Sequence, residues 1–259
     1  MATPTPLRIF EHQLVSYRRL WRGTLFVSFA QPVLFLVAFG VGVGALINDD
    51  PSASRRIGGV PYLAFVAPGL LAAACMVTAM VDSTWPVMSA IKWSRQYHGM
   101  LASPLTSTDL VHGQLLWITF RSMNTAIAMG LVLAVPGDTR SIGLFGSVAT
   151  GILTGLAFGL PISAWTLSIE RESLFTGLQR FVITPMYLFA GAMFPISQLP
   201  RPFRVIAYVT PLYHGVALSR SFALHTLDSA SIGHALVLVA FAVVGYLFAR
   251  RTYARRLLP

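Results

Sequence analysis

Cysteine and lysine are almost missing from this chain of 259 residues: Cys75 and Lys92 are the single examples, and acidic residues number only nine. One cysteine excludes a disulfide within the chain and any cysteine-rich metal centre. A phosphate-binding loop needs Gly-x4-Gly-Lys-Ser/Thr, and the sole lysine is followed by Trp93, so the chain supplies no such ATP site. HExxH, Gly-x-Ser-x-Gly, Cys/His zinc spacing and acidic clusters of the prenyltransferase kind are also absent. Asp49-Asp50 is an isolated pair without further ligands and reads as a solvated turn. No nucleophile, base and orienting group can be assembled, so catalysis is not expected, and neither is a metal or a cofactor held by this chain.

What fills the chain instead is apolar. Hydrophobic residues make up 55% and charged residues 11%, against about a quarter charged in soluble domains. That balance describes a polytopic membrane protein. The net charge of +10 comes from arginines that flank apolar runs, as topology signals do. A nucleic-acid partner is therefore not expected. Met1 to Leu7 has none of the pattern of a cleaved signal peptide. No soluble domain and no internal repeat is visible.

The periodicity predicts an all-α fold in one transmembrane domain, residues 1–259. Leu7, Phe10, Leu14, Tyr17 and Trp21 recur at helical spacing with arginines on the other faces, which predicts an interfacial helix over 7–22. Six membrane spans are predicted at 24–47, 57–82, 110–135, 141–169, 174–195 and 229–249. Gln31-Pro32 is a candidate kink in the first and Pro68-Gly69 a candidate break in the second. In the fourth, Gly151, Gly155 and Gly159 share one helix face and permit close contact with another helix. That glycine face, with the aromatic fifth span, suits an interface between subunits. The basic flanks of the N-terminus, of the 85–112 loop and of the C-terminus fall on one side. With six spans that side is the cytoplasm and both termini are cytoplasmic, in the plasma membrane.

Residues 181–220 break this regularity. An apolar run stops at Gly191, passes through Phe194-Pro195 and Leu199-Pro200, and resumes as Phe203, Ile206, Ala207 and Val209 before Thr210-Pro211. Backbone of this kind cannot face lipid and belongs against protein or near the water boundary. The order of Thr184-Pro185, Phe189-Ala190-Gly191, Phe194-Pro195, Gln198-Leu199-Pro200 and Pro211-Leu212 resembles the fifth span and outer re-entrant helices of type-2 ABC exporter permeases. The match is best with the nodulation-factor (lipo-oligosaccharide) exporter branch. The resemblance implies a permease subunit that moves an amphipathic substrate outward: a lipid-linked oligosaccharide, a lipid or a hydrophobic drug. It implies two copies of an ABC ATPase subunit carrying ATP and Mg, and a second permease, identical or related. It further implies two short re-entrant helices in 196–227, with Pro195, Leu199, Pro200 and Pro211 at their turns.

Two further stretches carry function in that reading. Ser94 to Leu105 resembles the coupling helix of these permeases, which rests in a groove of the ATPase. Arg95, Tyr97, His98, Met100 and Leu101 are the residues assigned to coupling, with Tyr97, Met100 and Leu101 as apolar anchors. His98 stands where the family usually carries an acid. Arg121 lies well inside the third span, where a central arginine costs about 2.5–3.5 kcal/mol. Its candidate partners are Asp82, Glu170 or a substrate headgroup; Asp82, Arg121, Phe189 and Phe194 are assigned to the substrate path or the intramembrane polar set. A stand-alone secondary transporter and a lipid-modifying membrane enzyme are the alternatives. The first requires several intramembrane ionisable groups and paired broken helices, and the second a polar reaction centre.

Overall fold

The structure, a computed structural model, describes residues 5–18, 30, 33, 34 and 37–257. Among these residues it is all-helical, without a strand. Four helices are long and apolar enough to cross a membrane, at Tyr62–Lys92, Ser107–Leu133, Leu144–Ser168 and Ser229–Leu257. Most of the expected first span, with Gln31-Pro32, lies outside the described residues. Its last part is a π-helical turn over Val37–Val43 followed by Gly44–Asn48.

Helix α1 spans Thr5–Arg18; the remainder of the expected interfacial helix also lies outside the described residues. Ile9 is its buried residue, and α1 lies on the long helix Ser107–Leu133. A Cβ on Gly113 of that helix would stand 2.4 Å from Ile9 Cγ2, so only a glycine lets α1 approach so closely. Around that contact Phe10 and Tyr17 pack edge-on against Phe120, at 5.5 and 6.0 Å between ring centroids. One face of α1 is thereby committed to the bundle, and its arginines stay on the other faces.

Helix α2, Tyr62–Ser83, is continuous through Pro68. The break expected at Pro68-Gly69 is instead at Thr84 (φ −105°, ψ −90°), after which Trp85–Lys92 carries the segment on. Gly69 serves packing: a Cβ there would meet Ala192 Cα at 3.0 Å. Prolines are tolerated inside membrane helices because neighbouring elements take up the freed backbone groups. The short α3, Gln96–Leu101, precedes α4, Ser107–Leu133. A capping box opens α4: Thr106 Oγ1 accepts from Asp109 N, and Thr106 N donates to the Asp109 carboxylate.

Helix α5, Leu144–Ser168, is the centre of the bundle, packed by α2, α4 and the last helix. Its glycine face resolves an expectation. Cβ atoms on Gly151, Gly155 and Gly159 would meet Leu71 Cδ2 at 2.5 Å, Ser122 Oγ at 2.0 Å and Ile118 Cγ2 at 2.8 Å. The face is used inside the chain against α2 and α4, not between subunits, because those spans bring the nearest bulky side chains onto the glycines.

The expected fifth span is built from Ser173–Leu178, a π-helical turn over Gln179–Ile183, and Thr184–Phe189. It ends at Gly191, whose φ of 81° only a glycine adopts without strain. A 3₁₀ turn over Ile196–Gln198 leads to α6, Arg201–Val209, and α7, Pro211–Ala223. Prolines sit in the first turns of both helices, where the missing N–H has no intrahelical partner to lose. Helix α8, Ser229–Leu257, runs past the expected end of the sixth span and includes the four C-terminal arginines.

Candidate functional site

Arg121 finds its partner at the end of α2. Its Nε donates to Asp82 Oδ2 at 2.8 Å, and the two side chains are only 12% and 11% exposed. Gln114, two turns earlier on α4, donates through Nε2 to the Asp82 carbonyl at 3.4 Å. The guanidinium lies over the Tyr17 ring, 4.9 Å from its centroid. One buried ion pair therefore ties α2 to α4, and the Tyr17 ring brings α1 onto it. Such a pair is costly to desolvate but far costlier to break, because a lone buried charge would remain. Glu170, the other protein candidate, is engaged elsewhere, 3.5 Å from Arg256.

The segment expected to couple begins at Arg95 in the left-handed conformation (φ 48°). Tyr97 is 5% exposed and packs on Tyr253 of α8, with 5.9 Å between ring centroids. Met100 and Leu101 are half-buried against the same cluster as Leu110, Leu167 and Tyr253. The three apolar residues thereby pack α3 onto its own chain. A six-residue helix has one apolar face, and here α8 covers it. The outward face carries Arg95, Gln96, His98 and Gly99. Beside it opens a cavity of about 790 Å³ lined by Lys92, Arg95, His98, Glu170, Arg171 and Arg256 among others. Lys92 pairs with Glu172 at 2.6 Å and Arg256 with Glu170 at 3.5 Å, and Arg95 and Arg171 leave this surface with a positive excess that fits an acidic counter-surface.

The aromatic residues assigned to the path lie at the other end of the bundle. Phe189 stacks on Phe203 at 5.1 Å, and Phe194 packs with Ile196, Leu199 and Ala207. This turn lies against the first turns of α2, where Tyr62 Oη donates to the Met193 carbonyl at 3.1 Å. Asp82 is at the far end of that helix, about 30 Å along its axis at 1.5 Å per residue. The structure does not gather Asp82, Arg121, Phe189 and Phe194 into one place. Pro195 precedes the 3₁₀ turn, Leu199 is buried, Pro200 caps α6 and Pro211 opens α7. Arg204 is pinned inward, donating from Nη2 to the carbonyls of Ser197 and Leu199 at 2.7 and 3.1 Å. Val205, Ile206 and Val209 are exposed.

Two groups at this end of the bundle escape a sequence reading. Arg220 of α7 donates from Nε to the Phe65 carbonyl at 3.0 Å and from Nη2 to the Gly191 carbonyl at 2.9 Å. Its guanidinium lies 3.8 Å from the Phe65 ring centroid, and burial pushes its pKa down to about 10. It clamps the broken end of the fifth span to α2. Its one signal in the sequence is isolation, since no other lysine or arginine occurs between Arg204 and Arg250. His214 and His234 bring their Nδ1 atoms to 2.8 Å, and His214 Nε2 lies 2.9 Å from the Tyr208 carbonyl. His214 therefore carries its proton on Nε2 and accepts on Nδ1 from His234. Burial holds the His214 pKa below its usual value.

No group of three or more metal-ligating side chains occurs among the described residues. Comparison with known proteins gives these features a family. The ABC-2 type transporter model matches residues 8–224. The chain is 29% identical to Nodulation protein J of Rhizobium leguminosarum bv. viciae over 97% of its own length and 95% of the relative. It is 26% identical to Nodulation protein J of Rhizobium meliloti, over 98% and 94%. To the inner membrane transport permease YadH of Escherichia coli it is 23% identical, over 92% and 90%. No solved structure matches. A four-span apolar bundle, a glycine-packed centre and a family match covering most of the chain converge, and the chain belongs to the ABC-2 type transporter family as a multi-pass membrane permease subunit of an exporter.

Proposed function

We propose that this permease works with a separate ATP-binding-cassette subunit that docks on α3, and that two permeases and two ATPases make the working exporter. The observation that carries this reading is the mounting of α3. Its apolar side is seated on Tyr253 of α8, and its polar side projects beside a basic cavity. A helix held this way passes a push from a partner into α8 and α4 as a rigid-body shift, because packed interiors do not absorb strain by flowing. ATP and Mg belong to the partner in this reading.

The basic end then faces the cytoplasm with both termini, as the arginine distribution favours, and the membrane is the inner membrane, a reading supported by the similarity to the inner membrane transport permease YadH. The turn through Gly191 and helices α6 and α7 lie on the outer side as re-entrant pieces. The cargo is an amphipathic molecule, with lipid-linked oligosaccharide favoured by the similarity to Nodulation protein J. Replacing His98 with a photo-crosslinking amino acid in cells that co-express a candidate cassette ATPase subunit tests the docking. A cross-linked permease–ATPase product is expected from His98 and none from Phe241 on α8. Equal yields from both positions, or no product from His98, would reject α3 as the docking element.

A further inference from the structure

Helices α6, α7 and α8 meet at a pair of histidines that the exporter reading leaves unused. His214 stands in the first turn of α7 and His234 in the second turn of α8. Their Nδ1 atoms are 2.8 Å apart and their ring centroids 5.0 Å. His214 Nε2 donates to the carbonyl of Tyr208, in the last turn of α6, at 2.9 Å. The Tyr213 ring packs at a steep angle against both imidazoles, with 5.1 and 5.4 Å between centroids. Both histidines are half-buried.

The contact is set by the number of protons on the pair. Two nitrogens at this distance hold one hydrogen between them. With His214 protonated on Nε2, that hydrogen sits on His234 Nδ1 and points at the His214 lone pair. A first added proton enters at His234 Nε2, which takes no part in the contact, and strengthens the bond by charging its donor. A second has one place to go: His214 Nδ1, the acceptor itself. Two N–H groups then face each other, each on a cation, and like charges this close repel.

The surroundings offer that second charge little. Asp228, just ahead of α8, is the acid that acts on His234. Its carboxylate is engaged by Ser231 N at 3.0 Å and Ser231 Oγ at 2.9 Å. These bonds hold its carboxyl below the usual range, so its charge is constant from about pH 8 to about pH 5. Tyr208 on α6, and Tyr213 and Arg220 on α7, keep one charge state over the same range. His225, in the connection between α7 and α8, is exposed and makes no hydrogen bond to the pair. Helix α5, on which α7 and α8 both pack, has no ionisable residue. The acid on α2, Asp82, is at its far end and paired with Arg121.

We propose that His214 and His234 form a proton-operated latch between α7 and α8, closed while the pair holds one added proton or none and opened by the second. Tyr208 stays bound to His214 through Nε2, so α6 leaves α8 together with α7. The opened pair binds one proton more than the closed pair, so opening is favoured as pH falls below the ordinary imidazole value of about 6.5. One extra proton raises the opening equilibrium about thirtyfold between about pH 7.5 and about pH 5. In the exporter reading these helices lie at the outer exit, where the latch answers to the pH outside. That consequence rests on the reading above; the latch itself does not.

The test is a distance measurement on the full-length chain in lipid nanodiscs. Spin labels are fixed at Val205→Cys on α6 and Ile232→Cys on α8, both exposed positions, in a Cys75→Ala background. With both histidines present, one distance is expected at about pH 7.5. A second, longer one should appear at about pH 5, its share growing about thirtyfold. In His234→Gln the amide donates to a neutral His214 through its NH₂ and, turned over, accepts from the imidazolium through its oxygen. This variant should keep the short distance at both pH values, and His214→Gln, made separately, should match it. Nitrogen NMR of the histidine rings follows the protons directly. The proposal is overturned if both rings become imidazolium while the labels keep the short distance, if no longer distance appears at about pH 5, or if the glutamine variants lengthen with pH as the parent does. No ATPase is present, so none of these outcomes bears on the docking reading.

Discussion

Tyr97 and Tyr253 lie ring against ring, 5.9 Å between centroids, and through this contact α3 is fastened to α8. Both residues are almost wholly buried. The two belong to segments 156 positions apart in the chain, so the contact exists only in the folded bundle. Replacing Tyr253 with Ala removes the seat of α3 and opens a cavity, a change that costs about 3–5 kcal/mol for large aromatic residues. In the assembled transporter, ATP hydrolysis should persist while transport falls at least tenfold. The Tyr253 hydroxyl makes no hydrogen bond of ordinary geometry among the described residues, although the side chains of Tyr97 and Ser163 lie near it. Tyr253→Phe should therefore keep full transport and melt no lower than wild type.

The Asp82–Arg121 pair predicts a particular pattern in a double-mutant cycle. Arg121→Ala leaves a buried carboxylate and should destabilise the protein by about 3–5 kcal/mol. Asp82→Ala leaves a buried guanidinium and should cost a similar amount. The double variant Asp82→Ala/Arg121→Ala should lie closer to wild type than either single change. Arg121→Lys keeps the charge without the planar fork and should fall between wild type and Ala. Thermal melting in detergent measures all four; additive losses would show that the pair is not a unit.

Packing at Gly155 gives a test with a built-in rescue. A methyl group there would stand 2.0 Å from Ser122 Oγ and 2.8 Å from its Cβ. Gly155→Ala should cost about 1–3 kcal/mol by overpacking. Adding Ser122→Gly removes the obstructing atoms and should recover most of the loss, as read by melting temperature and by yield of folded protein. A Gly155→Ala protein with unaltered melting would mean that α4 and α5 are further apart.

At the Gly191 end of the bundle, Arg220→Met should free the carbonyls of Phe65, Gly191 and Ala192, which now accept from Nε and Nη2. Each carbonyl left unpaired costs about 1–3 kcal/mol, so the turn through Gly191 should open locally before the bundle does. In a Cys75→Ala background, a cysteine at the buried Ile196 should react slowly with a membrane-impermeant thiol reagent. Adding Arg220→Met should speed that reaction at least tenfold. An unchanged rate would leave Arg220 without a role in holding the turn.

How legible all of this is from sequence depends on the range of the interaction. Spans with long uncharged runs, such as Leu144–Ser168, are visible because apolar length is a local property. The glycine spacing in that helix also announces a close contact, but what it contacts depends on which span folds against it. Residues 151, 155 and 159 look identical whether they meet Ser122 or a second subunit. Arg121 is conspicuous alone, while its partner 39 positions away is one of three options until the helices are placed. In α3 the period shows an apolar face but not its direction, so Tyr97 reads equally well as a dock for a partner or as a root in the chain. Arg220 is the hardest to see. An arginine near the end of an outer segment looks like a flank, and only the break at Gly191 supplies the bare carbonyls that it satisfies.

Helix α8 is 29 residues long, about 43 Å at 1.5 Å per residue, whereas the hydrocarbon layer is about 30 Å thick. Its final turns therefore stand clear of lipid as a stiff rod studded with Arg250, Arg251, Arg255 and Arg256, rooted beside α3 through Tyr253. A rod of this length is a mechanical pointer: a tilt of 10° about its outer end swings its tip by about 7 Å. A spin label or fluorophore fixed near residue 255 would register motions of the span too small to see within the bilayer, so the exposed end of this helix is the natural place to mount a gauge of the transport cycle.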